Sequence, residues 1–351
     1  MSVSPRKIGN APVHPIGFGA MGISRFYGKV GTDEERFEVY FLVFAGQLIA
    51  EETVLQVLDA ALAAGCNHWD SANIYGDSEE LIGKWLKRTG KRSEIFLTSK
   101  FGNTPNGARG DPEYAKEQFA KSLERFGTDY IDLYYLHRTD PKTPIEVTVG
   151  AMAELVKEGK VKYIGLSECT AEDLRRAHAV HPISAIQFEF SPLVLFIEDE
   201  KIAILKTARE LGVTVVAYSP LARGLITGQY KSPDDFEADD FRRTVPKYSA
   251  ENFPKILDLV KRIGEVGSKH NATPGQVALA WILAQGDDFV VIPGTKKVKY
   301  LKENMGAANI KLSSEEVALI RKYAQESEIP GDRYGAMGMQ HVLKQSPPLQ
   351  K

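Results

Sequence analysis

The stretch NHWDSANIYGDSEELIG, residues 67–83, begins like a short strand and ends like the first turn of a helix. Asp70 closes the predicted strand, and Tyr75 follows it by about one helical turn. Asp77 and Glu80 have the spacing of a capping box, and basic residues before Gly90 are typical of a helix end. Taken alone, the aspartate and the tyrosine are explained by helix capping and loop packing. A strand that runs directly into a helix is, however, the repeating unit of α/β folds.

Eight short apolar runs recur along the chain, each too short for a helix and suited to a strand buried on both faces. The runs are residues 16–22, 67–72, 95–100, 130–138, 162–168, 183–189, 214–220 and 289–294. Amphipathic patterns lie between them, one with Pro112 in its first turn and Gly127 at its end, another with Thr170 and Asp173 at its start. This alternation predicts an α/β fold, a (β/α)₈ barrel, rather than an open sheet.

Other segments flank the predicted barrel. We expect an N-terminal hairpin from RKIGN and VHPIG that plugs one barrel mouth, and extra helices late in the chain. Residues 222–280 begin with a long connection, which in a compact domain is usually functional or disordered. An irregular C-terminal tail is expected to lie over the barrel mouth. Residues 1–351 are therefore predicted to form a single barrel domain.

An apolar segment at residues 39–56 interrupts the predicted first barrel helix. Without it, DEERFE joins VLDAALAAG as one amphipathic helix, with Phe37, Val57 and Leu58 on one side. The segment starts with Val39, whose codon begins GT, and ends with Gln56, which CAG encodes; its length preserves the reading frame. A translated intron and a genuine insertion both explain these edges, and the sequence of the transcript distinguishes them.

Composition excludes several classes of function. Lys and Arg number 44 against 46 Asp and Glu, a net charge of −2, so there is no basic footprint for nucleic acid or an anionic membrane. Cys66 and Cys169 have neither a disulfide framework nor a zinc spacing, so no metal site is expected. There is no signal-peptide core and no apolar run long enough to span a bilayer. We expect a cytoplasmic monomer whose partner is a small molecule.

Polar side chains cluster at the predicted strand ends. Active sites of (β/α)₈ barrels lie at the C-terminal ends of the strands, so these side chains converge on one mouth. Singly, each has an ordinary explanation, such as a surface cation or a core histidine. The residues are Asp70, Lys100, His137, Ser167, Glu168, Gln187 and Tyr218, with Tyr75 one turn past its strand.

The chemistry of four of these residues is mutually consistent. A tyrosine with a pKa of ~10 is a poor proton donor at neutral pH, but a nearby ammonium lowers that pKa. Asp70 can hold Lys100 in place, and Lys100 can act on Tyr75 in this way. A neutral His137 can donate a hydrogen bond to a substrate oxygen. Such a site protonates an oxygen as negative charge develops, which suits carbonyl reduction if a hydride donor is present.

Eight motifs resemble the aldo-keto reductase superfamily over nearly the whole chain: GFGAMG, WDSANIYGDSEELIG, TSK, DLYYLHR, GLSE, QFEFSPL, AYSPLARGLITGQY and IPGTKKVKYLKEN. The resemblance is closest to the fungal and bacterial NADP-dependent members. It implies an NADP-dependent oxidoreductase that reduces aldehydes or ketones to alcohols. It also implies that Asp70, Tyr75, Lys100 and His137 are the catalytic tetrad, with Tyr75 as general acid.

The same resemblance implies NADPH, rather than NADH, as the cofactor. Ser167, Glu168 and Gln187 match positions that hold the nicotinamide carboxamide, and Tyr218 matches the ring that stacks on the nicotinamide. Ser219, Leu221 and Gly224 match the loop that covers the pyrophosphate. The adenosine and 2′-phosphate site is matched by Thr295, Lys296, Lys297, Glu303 and Asn304. Many relatives have asparagine in place of Glu168, and several have arginine in place of Tyr300, so these contacts are expected to be rearranged.

Two other functions are compatible with parts of the pattern. NADP-binding β subunits of potassium channels are similar in fold and site, so a regulatory subunit is an alternative. A lyase that uses Lys100 as a Schiff-base amine requires a neutral lysine, whereas Asp70 favours the charged form. Met21, Phe26, Tyr27 and Tyr334 predict an apolar, partly aromatic substrate pocket, which does not identify the substrate.

Overall fold

The computed structural model describes residues 3–24 and 51–350, except for the side chains of residues 51–53. Phe37 and most of the predicted insertion at residues 39–56 lie outside this part of the chain. The intron hypothesis therefore stays a prediction. Val57 and Leu58, which were expected on the buried side of the first helix, are both fully buried.

The strands of the described residues are β1 (Arg6–Ile8), β2 (Ala11–Val13), β3 (Phe18–Gly19), β4 (His68–Asp70), β5 (Phe96–Phe101), β6 (Asn103–Thr104), β7 (Gly107–Ala108), β8 (Ile131–Leu136), β9 (Val161–Ser167), β10 (Ala185–Glu189), β11 (Thr214–Tyr218) and β12 (Phe289–Val291). Eight of them form one parallel sheet, in the order β12-β11-β10-β9-β8-β5-β4-β3. The other four form two short antiparallel hairpins, β1 with β2 and β6 with β7.

The two edges of the parallel sheet meet and close the barrel. Ile16 forms a parallel bridge with Val291, the Gly17 N–H donates to the Val291 carbonyl at 2.7 Å, and the Val291 N–H donates to the Pro15 carbonyl at 3.0 Å. Each of the eight predicted apolar runs overlaps one strand of this barrel. The predicted (β/α)₈ fold is confirmed.

Helices separate the strands. Within the described residues they are α1 (Glu51–Ala63), α2 (Ser78–Thr89), α3 (Pro112–Phe126), α4 (Ile145–Lys157), α5 (Ala171–Val180), α6 (Ile204–Glu210), α7 (Phe253–Ser268), α8 (Pro274–Leu283), α9 (Val298–Gly306), α10 (Ser314–Glu326) and α11 (Ala336–Met339). None of these helices has both the length and the apolar character that crossing a membrane requires.

Most helix boundaries follow the predicted signals, with one exception. Gly90 and Gly127 end α2 and α3 in the left-handed conformation, with φ of 68° and 62°. The Thr170 side chain caps α5 by accepting from the Asp173 N–H. The predicted capping box at Asp77 is wrong. Its ψ of 16° is not the extended backbone of an N-cap, and its side chain makes no capping hydrogen bond.

The N-terminal hairpin plugs the barrel, as predicted. Ile8 of β1 and Val13 of β2 are buried in one cluster with side chains from the strands. The strand residues of this inner cluster are Phe96, Leu133, Tyr135, Ala185, Val216 and Val290, together with Ile292 just after β12. Full burial of such side chains contributes about 1.5–3 kcal/mol each, so the barrel interior is a packed core that fixes the strand ends.

The long connection and the C-terminal tail lie at the carboxyl ends of the strands. The connection contains the predicted irregular part and also the helix α7. The tail is tied down near its end, where Ser346 Oγ donates to Asp173 Oδ1 at 2.6 Å and Arg176 Nη2 donates to the Pro347 carbonyl at 2.7 Å. Tyr334 and His341 of the tail line the cavity at the barrel mouth, so the tail covers that mouth.

Candidate active site

A cavity of about 520 Å³ opens at the carboxyl ends of the strands. Most residues that the sequence singles out for catalysis or cofactor binding line it: Asp70, Tyr75, His137, Ser167, Gln187, Tyr218, Ser219, Leu221, Gly224, Thr295, Lys296, Glu303 and Asn304. Lys100, Glu168 and Lys297 do not. Met21 and Tyr334 also line the cavity, while Phe26 and Tyr27 lie outside the described residues.

Asp70 and Lys100 form a buried ion pair that the sheet positions. Asp70 ends β4 and Lys100 lies in the neighbouring strand β5. Lys100 is fully buried, and its Nζ donates to Asp70 Oδ1 at 2.5 Å and to the Ser71 carbonyl at 2.7 Å. Gln187 Nε2 donates to Asp70 Oδ2 at 2.8 Å. Burial lowers the pKa of Lys100, and Asp70 acts in the opposite direction. The ammonium is thus fixed behind the cavity wall.

Tyr75 and His137 face one another at the same end of the cavity. Their rings pack edge to face, with centroids 5.7 Å apart, and Lys100 Nζ lies 4.9 Å from the Tyr75 ring centroid. Burial raises the pKa of Tyr75 and lowers that of His137, so both groups are neutral at physiological pH. The phenol and the imidazole can therefore donate two hydrogen bonds to one oxygen atom.

Arg138, which follows His137, is a further cation at this end. Its Nη1 donates to the His137 carbonyl at 2.8 Å and to Ser167 Oγ at 3.4 Å. Burial and Asp70 raise the pKa of Tyr75, and Arg138 lowers it. Lys100 was also expected to act on Tyr75 in this way; its Nζ donates to Asp70 and lies 4.9 Å from the Tyr75 ring centroid.

The cavity continues between the loop after β11 and the start of α9. Ser219 and Gly224 have φ of 48° and 97°, so the loop turns sharply along the cavity wall. Thr295 Oγ1 accepts from the Lys297 N–H at 3.1 Å, just before α9 begins, and Lys296 lines the cavity beside it. Side chains of both signs line this end, with cations in excess.

Glycines form the wall where β3 meets the chain after β12. A Cβ at Gly19 would lie 2.6 Å from the Ile292 carbonyl oxygen, and a Cβ at Gly294 would lie 2.6 Å from that of Gly19. Both glycines line the cavity. A side chain at either position would collide with the neighbouring backbone, so the close approach of these two segments at the cavity wall requires glycine.

An elongated dinucleotide phosphate fits this cavity. It needs a narrow apolar slot for a flat ring at one end and cations for its phosphates at the other. Tyr218 borders the catalytic end, while Arg223, Arg242 and Lys296 supply positive charge along the cavity. The donor set, with a serine, a glutamine and three cations, suits an amide and several phosphate oxygens.

The Glu168 carboxylate forms an ion pair with Arg333, a residue of the C-terminal tail. It is fully buried, and Arg333 donates to both its oxygens, from Nη1 at 3.0 Å and from Nη2 at 2.7 Å. Arg333 Nη1 also donates to Glu189 Oε2 at 3.3 Å, as does Arg223 Nη2. Arg333, despite burial of the carboxylate, holds the pKa of Glu168 below its usual range. The Glu168 carboxylate thus anchors the tail, a role that differs from the predicted contact with nicotinamide.

Tyr218 connects this buried network with the cavity. Its hydroxyl donates to Glu168 Oε1 at 2.8 Å and lies 2.8 Å from the hydroxyl of Tyr334. Arg333, Glu189 and Arg223 were not singled out from the sequence. The only hint in the sequence was Glu168 itself, a carboxylate where many relatives have a neutral asparagine, because a buried carboxylate requires a partner.

Comparison with known proteins identifies relatives of the whole chain. Residues 42–325 match the model of the aldo/keto reductase family. The chain is 67% identical to aldo-keto reductase str7 of Strobilurus tenacellus, over 99% of both chains. It is 46% identical to the aldo-keto reductase yakc [NADP(+)] of Schizosaccharomyces pombe, over 100% of both chains.

Solved structures share the fold. The glycerol dehydrogenase AKR11B4 from Gluconobacter oxydans superposes with a TM-score of 0.80 at 24% identity, over 94% of this chain and 98% of that one. The thermostable aldo-keto reductase Tm1743, solved with the inhibitor epalrestat, superposes with a TM-score of 0.69 at 28% identity, over 92% and 100% of the chains.

Proposed function

The chain belongs to the aldo/keto reductase family, and from this premise we propose that it reduces small aldehydes or ketones to alcohols, with NADPH as hydride donor and Tyr75 as general acid. The observation that carries the proposal is the meeting of Tyr75, His137 and the Asp70–Lys100 pair at one end of a cavity with cations at its other end. The yakc protein is named for NADP(+), which supports this cofactor here.

The proposed reaction starts with the substrate oxygen between Tyr75 and His137. NADPH, when bound, supplies the hydride that reaches the carbonyl carbon. The neutral His137 orients the oxygen by donating a hydrogen bond, and Tyr75 gives it a proton as negative charge develops. The ammonium of Lys100, 4.9 Å from the Tyr75 ring centroid, stabilises the tyrosinate that remains. Asp70 keeps that ammonium charged.

The cofactor contacts in the proposal are those of the cavity, together with Lys297, which lies at the start of α9 and does not line the cavity. Ser167 and Gln187 would hold the carboxamide, and Tyr218 would stack on the nicotinamide. Ser219, Leu221 and Gly224 border the pyrophosphate. Lys296 and Lys297 would favour the 2′-phosphate, with Thr295, Glu303 and Asn304 around the adenosine. We replace the predicted contact of Glu168 with an indirect one, through the hydroxyl of Tyr218.

The experiment is Tyr75→Phe, assayed by NADPH absorbance with a panel of aldehydes and ketones. We expect a loss of about 10²–10⁴-fold in turnover, the usual contribution of general acid catalysis, with NADPH binding retained. Tyr334→Phe is the matched control, since it removes another hydroxyl from the same cavity. If Tyr75→Phe turns over as fast as this control, Tyr75 is not the proton donor.

The other functions receive less support. The two relatives named above have reductase names, which favours an enzyme over a potassium-channel β subunit. A Schiff base on Lys100 would require its Nζ to leave Asp70 and the Ser71 carbonyl and to enter the cavity. Borohydride trapping with substrate is expected to give no covalent adduct.

We also propose a cytoplasmic monomer. Exposed large apolar side chains in residues 3–24 and 51–350 are few: Val180, Met337 and Leu349. They offer little for a stable interface, since such interfaces bury a contiguous apolar patch. Light scattering of the purified protein tests the monomer, and cell fractionation tests the location.

A further inference from the structure

Arg138 is a buried cation with spare hydrogen-bond donors. Its side chain lines the cavity and its residue is only 8% exposed. Both of its hydrogen bonds use Nη1, to the His137 carbonyl and to Ser167 Oγ. Nε and Nη2 have no hydrogen-bond partner among the described residues. Arg138 therefore presents one edge of its guanidinium group to a ligand.

The charge of Arg138 also lacks a carboxylate partner, in contrast to the other buried charges around it. Lys100 pairs with Asp70. Glu168 and Glu189 pair with Arg333 and Arg223. Among the side chains that the structure describes, no carboxylate lies within ion-pair distance of Arg138. A buried charge without a partner is costly, so this end of the cavity favours an anion.

The position of Arg138 limits where that anion can be. Arg138 follows His137 in the chain, and His137 packs against Tyr75, the two groups that would bind the reacting oxygen. Arg138, His137 and Tyr75 line the same cavity, and the charge of Arg138 acts to lower the pKa of Tyr75, so the guanidinium lies near the carbonyl site. A carboxylate matches the planar fork of a guanidinium and accepts two parallel hydrogen bonds from it.

We propose that Arg138 selects substrates with a carboxylate next to the reducible carbonyl, the class of 2-oxo acids. This inference rests on the proposed reductase function. The carbonyl carbon gains a hydride, that is, one proton and two electrons, and the carbonyl oxygen gains one further proton. The carboxylate is unchanged, so the product is a 2-hydroxy acid, and NADPH is oxidised to NADP⁺.

The test compares two substrates of nearly equal shape, phenylglyoxylate and its neutral amide, phenylglyoxylamide. The quantity measured is the ratio of their kcat/KM values in the wild type, Arg138→Met and Arg138→Lys. We expect the wild type to prefer the acid, and Arg138→Met to lower the ratio by at least about tenfold, the effect of one charge-assisted hydrogen bond. Arg138→Lys keeps the charge but not the fork, so its ratio should fall in between.

Arg109→Met is the control, because Arg109 forms an exposed ion pair with Asp111 and does not line the cavity. The ratio of kcat/KM values should be the same in this variant as in the wild type. A second readout needs no turnover: calorimetry of mandelate, the carboxylate product, binding to the NADP⁺ complex. Mandelate should bind the wild type at least about tenfold more tightly than Arg138→Met.

Other outcomes would overturn the inference. If Arg138→Met lowers kcat/KM equally for acid and amide, Arg138 acts on Tyr75 or on the cofactor and not on the substrate carboxylate. Fluorescence titration with NADPH distinguishes these two roles, because only a contact with the cofactor would weaken NADPH binding in the variant. A wild type that reduces the amide at least as well as the acid would refute 2-oxo acid selection alone. A wild type that oxidises NADPH with neither substrate nor any simple aldehyde would refute the proposed function instead.

Discussion

Replacing Arg333 by methionine should destabilise the protein strongly, because it leaves two buried carboxylates short of a cation. Arg333 is 8% exposed, while Glu168 and Glu189 are 0% and 1% exposed. Exposed ion pairs contribute little, but the removal of one partner from a buried pair costs about 3–5 kcal/mol. Because Arg333 retains some exposure to solvent, water can reach the position that it leaves, so we expect the low end of that range, about 3 kcal/mol.

Urea unfolding at constant pH measures this loss. Arg109→Met is a control, since it removes an arginine from an exposed ion pair with Asp111, and it should leave the unfolding midpoint unchanged. The double variant Glu168→Gln and Arg333→Met removes both charges, so it should recover much of the stability. If Arg333→Met unfolds at the same urea concentration as Arg109→Met, the buried network does not hold the tail.

The same comparison has a defined pH dependence. The pKa of Glu168 is lower in the folded protein than in the unfolded chain, where glutamate has a pKa of ~4.3. The contribution of the ion pair is therefore present above pH ~4.3 and is lost as the pH falls through the lower, folded pKa. The gap between wild type and Arg333→Met should be constant near neutral pH and should narrow in acid.

Two further predictions concern the cofactor and a buried histidine. Changing both Lys296 and Lys297 to Ala should weaken NADPH binding at least about tenfold and leave NADH binding nearly unchanged, because only NADPH has a 2′-phosphate. Fluorescence titration of both nucleotides at fixed salt tests this, and an equal loss of affinity for NADPH and NADH would refute it. His68 is fully buried with no partner for either ring nitrogen among the described residues, and burial lowers its pKa to about 4. Since the unfolded chain binds that proton below pH ~6.5, wild-type stability should fall by about 3 kcal/mol between pH 6.5 and 4. In His68→Leu the decrease over this range should be smaller by that amount, and parallel pH profiles would show that His68 does not titrate this way.

The barrel was predictable because its strands are buried on both faces. A strand of this kind appears as a continuous apolar run, and the run at 130–138 contains β8. Strand ends in a barrel meet at one mouth, so the polar residues that follow the runs were expected to converge, and most of them line one cavity. The pattern of apolar runs therefore carries most of the information on the fold and on the polar strand ends, whereas positions farther along the cavity, such as Thr295 and Lys296, came from the family resemblance.

Contacts between distant segments were not predictable in the same way. Glu168 and Arg333 are 165 positions apart, and the tail that contains Arg333 has no periodic pattern. The capping box at Asp77 failed for a local reason, since side-chain spacing does not determine the backbone ψ of the N-cap residue. The insertion at 39–56 still requires the transcript, and we propose that the chain is a single domain with or without it.

The ion pair between Glu168 and Arg333 has a consequence for how this site can change in evolution or by design. A glutamate at position 168 is tolerated only when the tail provides a cation. Replacement of Glu168 or Arg333 alone leaves the other as a buried charge without its partner. The two positions should therefore be inherited together, as a covarying pair in related sequences. A chimera that takes its tail from a relative with asparagine at position 168 should fold well only if Glu168 is replaced by Asn in the same step.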